Sequence, residues 1–199
     1  MAYALFLLWI TALPLVLSPG PANLSLASFG VSFGFRRSLP YLAGILSGTL
    51  GVLCLVATGL AIVILTQPAL VAALKVLALL YICYLAWKIA AAPVSGNRHA
   101  EGHPPSAWQG LGIALANPKA FAALGAVYMG HTVVKDHALL DAAAKIVGLS
   151  AAIILSGVLW LAFGAAFSRQ LGNPRVGKGV NVTFALLMVV SVGLAVSSV

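Results

Sequence analysis

Two short stretches hold most of the polar chemistry available inside the apolar part of this chain. Pro19-Gly20-Pro21, within the run LSPGPAN, interrupts the first apolar segment, and Asn117-Pro118-Lys119 interrupts a later one. A proline removes a backbone donor and blocks the carbonyl one turn earlier, so each stretch leaves several backbone polar groups without helical partners. In lipid such groups cost several kcal/mol unless they face protein or a water-filled cavity. Two interruptions pointing their dipoles at one cavity form an arrangement that binds a small polar or charged solute. The alternative at each position is a simple proline kink that tunes packing. The candidate substrate-binding residues are Pro19, Gly20, Pro21, Asn23, Thr49, Asn117, Pro118 and Lys119. Lys119 admits three roles: counter-ion to a carboxylate, proton-coupling group, or partner of the carbonyls freed by Pro118.

Other reactive residue types are sparse. Cys54 and Cys83 are solitary in separate apolar runs and read as small hydrophobes, so no disulfide or metal site is expected. His99 and His103 flank Glu101 in a polar loop, a weak metal signal. The run GNPRVGKG, residues 172–179, approaches a phosphate-binding loop, but Gly179 stands where a hydroxyl residue would hold magnesium and no strand precedes it. A basic turn beside a membrane explains it better. No catalytic group and no cofactor is expected.

The elements that must position these residues follow from composition. In 199 residues, 62% are hydrophobic and 7% charged, and the mean hydropathy is +1.08. That is more apolar surface than a water-soluble domain of this size buries, so the chain is expected to be an integral membrane protein, all-α, with lipid as its solvent. The net charge of +8 is spread singly or in pairs between apolar runs. It forms no stripe that would engage nucleic acid. The N-terminal run lacks a basic n-region and is longer than the apolar core of a secretion signal, so it is expected to be a retained span.

Six helical spans are predicted, at about 3–29, 39–65, 69–91, 107–131, 142–167 and 178 onward. At 1.5 Å per residue the first break falls ~22 Å and the second ~16 Å into spans that cross a core of ~30 Å. Thr66-Gln67-Pro68 supplies a hairpin, and residues 93–106 form a polar loop between halves 1–92 and 107–199 of one transmembrane domain. Arg36, Arg37, Lys88, Arg98, Arg169, Arg175 and Lys178 belong to the first, third and fifth connections; Lys135 and Lys145, balanced by Asp136 and Asp141, lie opposite. The positive-inside rule makes the basic connections cytoplasmic and places both termini outside.

The halves also resemble each other. Trp9 and Trp108, and Pro19 and Pro118, are each 99 residues apart; Gly44 and Gly148 are 104 apart, and Gly59 and Gly164 are 105 apart. Three spans per half oblige the halves to enter from opposite sides, the inverted-repeat layout of three plus three helices with broken first and fourth helices. Gly44, Ser47, Gly48 and Gly51 make a small-residue face suited to close packing. Tyr81, Tyr84 and Trp87 are placed at an aromatic belt, Tyr81 deep enough to reach a cavity.

On these motifs the chain resembles the LysE/RhtB family of amino-acid exporters. The resemblance rests on SPGPANL, GILSG in span two, LKVLALLYICYLAWKI in span three, ANPKAF in span four and RVGKGVN before span six, and it covers nearly the whole length. It implies a six-helix secondary exporter in the bacterial inner membrane, moving amino acids or related small metabolites outward in exchange for protons. The implied site residues are Pro19, Gly20 and Pro21 in the first break and Asn117, Pro118 and Lys119 in the second. Many relatives carry an acidic or amide residue where Ala22 stands and an aspartate where Thr49 stands; both acids are absent. The expected partners are a small-molecule substrate, the lipid bilayer and, as one assembly option, a second copy in a homodimer. Two rivals remain: a metal-cation exporter, which needs acidic or thiolate ligands in the cavity, and a membrane-embedded enzyme or electron carrier. The topology is checked by reporter fusions. Alkaline phosphatase joined after Val199 is expected to be active and a cytoplasmic reporter there inactive, and the reverse pattern would invert the assignment.

Overall fold

The computed structural model describes residues 1–61, 66–91, 104–170 and 174–197. Among the described residues there are eight α-helices and no strand: α1 Ala2–Leu17, α2 Pro21–Arg37, α3 Leu39–Ala57, α4 Pro68–Ala91, α5 Ala107–Leu115, α6 Pro118–Gly130, α7 Ala138–Gln170 and α8 Pro174–Ser197. Most of the polar loop expected at 93–106, with Arg98, His99, Glu101 and His103, and the start of the basic turn at 172–173 lie outside the described residues.

Local chemistry sets the two interruptions. The residue before a proline is driven out of the helical region. Ser18 accordingly has φ −59° and ψ 149°, and Asn117 has φ −89° and ψ 101°. Each closing proline, Pro21 and Pro118, then opens a new helix at its first position, where a missing N–H costs nothing. The paired helices bend by 61° between α1 and α2 and by 62° between α5 and α6. At the start of α5, Ser106 and Gln109 form a reciprocal capping box.

By length and composition, α3, Val71–Ala91 of α4 and Ala138–Phe167 of α7 can each cross a membrane, and each bent pair passes as one further span. That makes up to five crossings among the described residues. In α8 the apolar stretch Val176–Ser191 is shorter than a full crossing. Two boundaries differ from the sequence expectation. The second span, expected over 39–65, ends as α3 at Ala57, where the chain turns through Gly59 at φ +75°; residues 62–65 lie outside the described residues. The first span runs on to Arg37, with a non-helical Gly34 at φ +76° inside it.

Two glycine crossings bring helices to backbone contact. On α2 and α7, a Cβ at Gly30 would lie 2.7 Å from the Leu161 carbonyl oxygen, and one at Gly164 would collide with the Ala27 carbonyl. On α3 and α5, Cβ atoms at Gly44 and Gly110 would collide with the carbonyls of Ala107 and Tyr41, and one at Gly48 would lie 2.6 Å from Ala114 Cβ. Gly44 and Gly48 of the small-residue face of α3 thus pack closely, whereas Ser47 is exposed. The matched residues rise together, so α7 runs parallel to α1–α2 and α3 runs parallel to α5. Gly148, 104 residues after Gly44, packs on Leu8 and Trp9, while Gly44 packs on Ala107, which precedes Trp108. Gly59, 105 residues before Gly164, meets nothing within 4 Å.

The core divides into two clusters. One gathers Phe29, Tyr41, Ile82, Leu85, Ile89 and Leu161 near the glycine crossings; the other gathers Leu8, Val52, Leu53, Leu124, Leu149 and Ile153. Phe6, Leu80, Trp87, Val147, Phe163 and Leu186 are exposed on the exterior, as a lipid-facing surface requires. Gly164→Ala is expected to force α2 from α7 and lower the thermal midpoint of the detergent-solubilised protein, a cost of about 1–3 kcal/mol. Gly125→Ala, where nothing lies within 4 Å, is expected to hold or slightly raise it.

Candidate functional site

Between the two core clusters, at the level of both breaks, lies a cavity of about 50 Å³, room for a few water molecules. Five of the eight residues singled out from sequence line it: Gly20, Asn23, Thr49, Asn117 and Lys119. Pro19, Pro21 and Pro118 do not. Their contribution is to the backbone, because they end one helix and start the next. Tyr81 also stays away from the cavity: its hydroxyl donates to the Gln109 carbonyl at 2.7 Å, against Gly112.

The end of α1 has the polar groups that the break leaves unpaired, and side chains from three other elements meet them. Asn23 Nδ2, on α2, donates to the carbonyls of Val16 at 2.8 Å and Ser18 at 3.0 Å. From α7, Ser156 Oγ donates to the Val16 carbonyl at 3.0 Å and Trp160 Nε1 to the Leu17 carbonyl at 3.0 Å. Lys119 Nζ, from α6, donates to the Ser18 carbonyl. Lys119 therefore does meet freed carbonyls, but those of the first break rather than those left by Pro118. Asn117 uses its own side chain locally, its Oδ1 accepting from Lys119 N at 3.2 Å to cap α6.

Electrostatically the site is one-sided. Lys119 is the single charged side chain among the lining residues, and none of them is acidic. Its ammonium sits at the C-terminal end of α1, where the helix dipole is negative. Gly20 makes room for it: a Cβ there would lie 2.7 Å from Lys119 Cδ. Asn23, Thr49, Asn117 and Ser156 add neutral polar groups, and Ile45, Ala120, Ala123, Leu124 and Ile153 make an apolar part of the wall.

Sequence reasoning missed Ser156 and Trp160. They are four residues apart on α7 and so share a face, yet nothing local marks that face as turned toward the break. A second polar cluster was also placed differently. Lys145, expected in a connection, is buried within α7, paired with Asp141 at 2.8 Å and donating to the carbonyls of Tyr128 and His131 at 3.1 and 3.2 Å. Asp141, expected outside the spans, lies in the first turn of α7 and accepts from the backbone N–H groups of Val133 and Val134. This cluster ties α6 to α7 away from the cavity.

A family model described as LysE type translocator matches residues 13–198. Among curated proteins, the chain is similar to a cysteine/O-acetylserine efflux protein of Salmonella typhimurium, 31% identical over 190 residues and 91% of each chain. The cysteine/O-acetylserine efflux protein of Escherichia coli K12 is 30% identical over the same share. No solved structure gives a significant match.

The carbonyl contacts predict an order of damage. Trp160→Phe removes the donor to Leu17 and is expected to cost about 1–3 kcal/mol of stability, the penalty of a buried acceptor left unpaired. Ser156→Ala should cost less, under about 1 kcal/mol, because Asn23 still serves Val16. Thermal melts of the two purified variants check this, and equal losses would contradict the assignment of donors.

Proposed function

The chain belongs to the LysE type translocator family, and from that premise we propose that it is a secondary exporter of amino acids or closely related small metabolites, driven by proton exchange across a bacterial inner membrane. One observation carries the reading: a lysine from the second helix break crosses to a carbonyl freed by the first, at the wall of a cavity that both breaks line. Mid-membrane interruptions of paired helices are where secondary transporters hold solute and coupling ion. The efflux of cysteine and O-acetylserine by the similar proteins favours small neutral amino acids as cargo. The lining agrees with that class, with no acid for a basic side chain and only neutral polar and apolar groups beside Lys119.

The topology proposed is six crossings, α8 supplying the sixth, in an inverted repeat of three plus three with both termini outside. Reciprocal packing supports the repeat: Gly44 of one half on the residue before Trp108, and Gly148 of the other half on Leu8 and Trp9. The parallel course of α7 with α1–α2 and of α3 with α5 fits the same scheme. Both glycine crossings then lie at the cytoplasmic end, whereas Gly59, the counterpart of Gly164, is open. This asymmetry supports a state sealed from the cytoplasm, and rocking one helix set against the other would exchange the tight and open pairs. The metal-exporter alternative lacks support, since no group of three His, Cys, Asp or Glu among the described residues could hold an ion.

The test is efflux of radiolabelled L-cysteine, with a panel of other amino acids, from cells lacking their own exporters. Expression of the chain should speed efflux, and a protonophore should abolish the gain. Replacing Pro19, Gly20 and Pro21 together by alanine restores a continuous helix and should remove transport while the protein still reaches the membrane. Undiminished export by that variant would leave the first break as a packing kink.

A further inference from the structure

The cavity has no acidic side chain, yet an amino-acid cargo brings an ammonium that must be held by something. Resting on the exporter reading, we propose that Lys119 occupies the cargo's ammonium position in the empty protein, and that a zwitterionic amino acid binds by exchange: its ammonium takes the Ser18 carbonyl, and the released Lys119 pairs with its carboxylate.

At the end of α1 the carbonyls of Val16, Leu17 and Ser18 all face side-chain donors, and only the Ser18 carbonyl already receives a cation. The donors on the other two, Asn23, Ser156 and Trp160, are neutral, and so is the second donor on Ser18, Asn23 again at 3.0 Å. They have no charge to exchange. Lys119 differs because it reaches across from the second break on a flexible four-carbon stem. Gly20, whose φ of −166° is ordinary extended backbone, leaves open the space that stem crosses. A side chain anchored at one end and held at the other by a single recorded bond can let go without unfolding either helix.

Exchange has two consequences for selectivity. An ammonium without a carboxylate would have to displace Lys119 and leave it beside a like charge with no partner. A carboxylate without an ammonium can draw Lys119 toward itself, leaving the Ser18 carbonyl to the neutral Asn23 amide alone. A zwitterion satisfies both groups. Self-occupancy also lowers apparent affinity in proportion to the fraction of protein whose site is free, which suits an exporter that must release cargo.

The experiment measures binding of labelled L-cysteine to the protein in lipid nanodiscs under reducing conditions, with two competitors. These are 2-aminoethanethiol, which keeps the ammonium and lacks the carboxylate, and 3-mercaptopropionate, which keeps the carboxylate and lacks the ammonium. For the parent protein, 3-mercaptopropionate is expected to compete better than 2-aminoethanethiol, by about tenfold or more, the range of one charged contact. In Lys119→Met the order should invert, since the internal competitor is gone and so is the carboxylate's partner. L-cysteine itself should bind the variant more weakly. Equal or reversed competition in the parent would overturn the exchange, and that result is read whether or not the variant folds. An unchanged order in a folded Lys119→Met would overturn it as well, leaving the lysine as a cap on Ser18. If the parent exports no amino acid in the efflux panel, the exporter reading falls and this inference with it. Efflux combined with the wrong competitor order removes the exchange alone.

Discussion

A backbone carbonyl freed inside an apolar helix bundle must find a donor or cost several kcal/mol. The break at Pro19-Gly20-Pro21 leaves the carbonyls of Val16, Leu17 and Ser18 without intrahelical partners, and much of the surrounding architecture can be understood as the response. Asn23 folds back from the next helix, Ser156 and Trp160 reach in from α7, and Lys119 arrives from the opposite half. Because those donors belong to three separate elements, the break cannot be satisfied until α2, α6 and α7 are all docked. A local interruption of one helix thereby demands a specific tertiary arrangement.

Close packing makes that docking affordable. The donors reach across only if the helices approach nearly backbone to backbone, and the glycines at 30, 44, 110 and 164 permit it at one end of the bundle. At the other end the crossings are made by side chains, with Leu8 and Trp9 against Gly148 and Lys145 donating to the carbonyls of Tyr128 and His131. Small residues in membrane helices bring strong dispersion contact without demanding a fixed side-chain lock. Helix pairs of that kind can part and re-form at modest cost, as a protein that opens alternately to two sides must do.

Lys119 connects the two themes. A charge this deep is costly unless it is paired, and the nearest charge complement is the partial negative end of α1. That arrangement stabilises the empty protein while leaving the pairing weak enough to be exchanged, because a carbonyl dipole holds a cation less firmly than a carboxylate would. No acid is found among the lining residues, so no carboxylate there competes with the Ser18 carbonyl for the ammonium.

Much of this was legible in the residues alone. The apolar composition required helices in lipid, the X-Pro steps at Ser18 and Asn117 required extended backbone, and the depth of Lys119 required an inward orientation. Each is a local or one-dimensional constraint, so Gly20, Asn23, Asn117 and Lys119 could be singled out before any contact was known, while Thr49 came from the family resemblance. The partners could not. That Lys119 answers the first break instead of its own, that Ser156 and Trp160 complete the set, that Lys145 is buried and that α3 stops at Ala57 all depend on which helix faces lie opposite one another. Periodicity in a segment apolar on every side does not reveal which face turns inward, because lipid and protein interior ask for the same residues. Only the packed bundle, where each freed carbonyl must find a donor within hydrogen-bond reach, decides that.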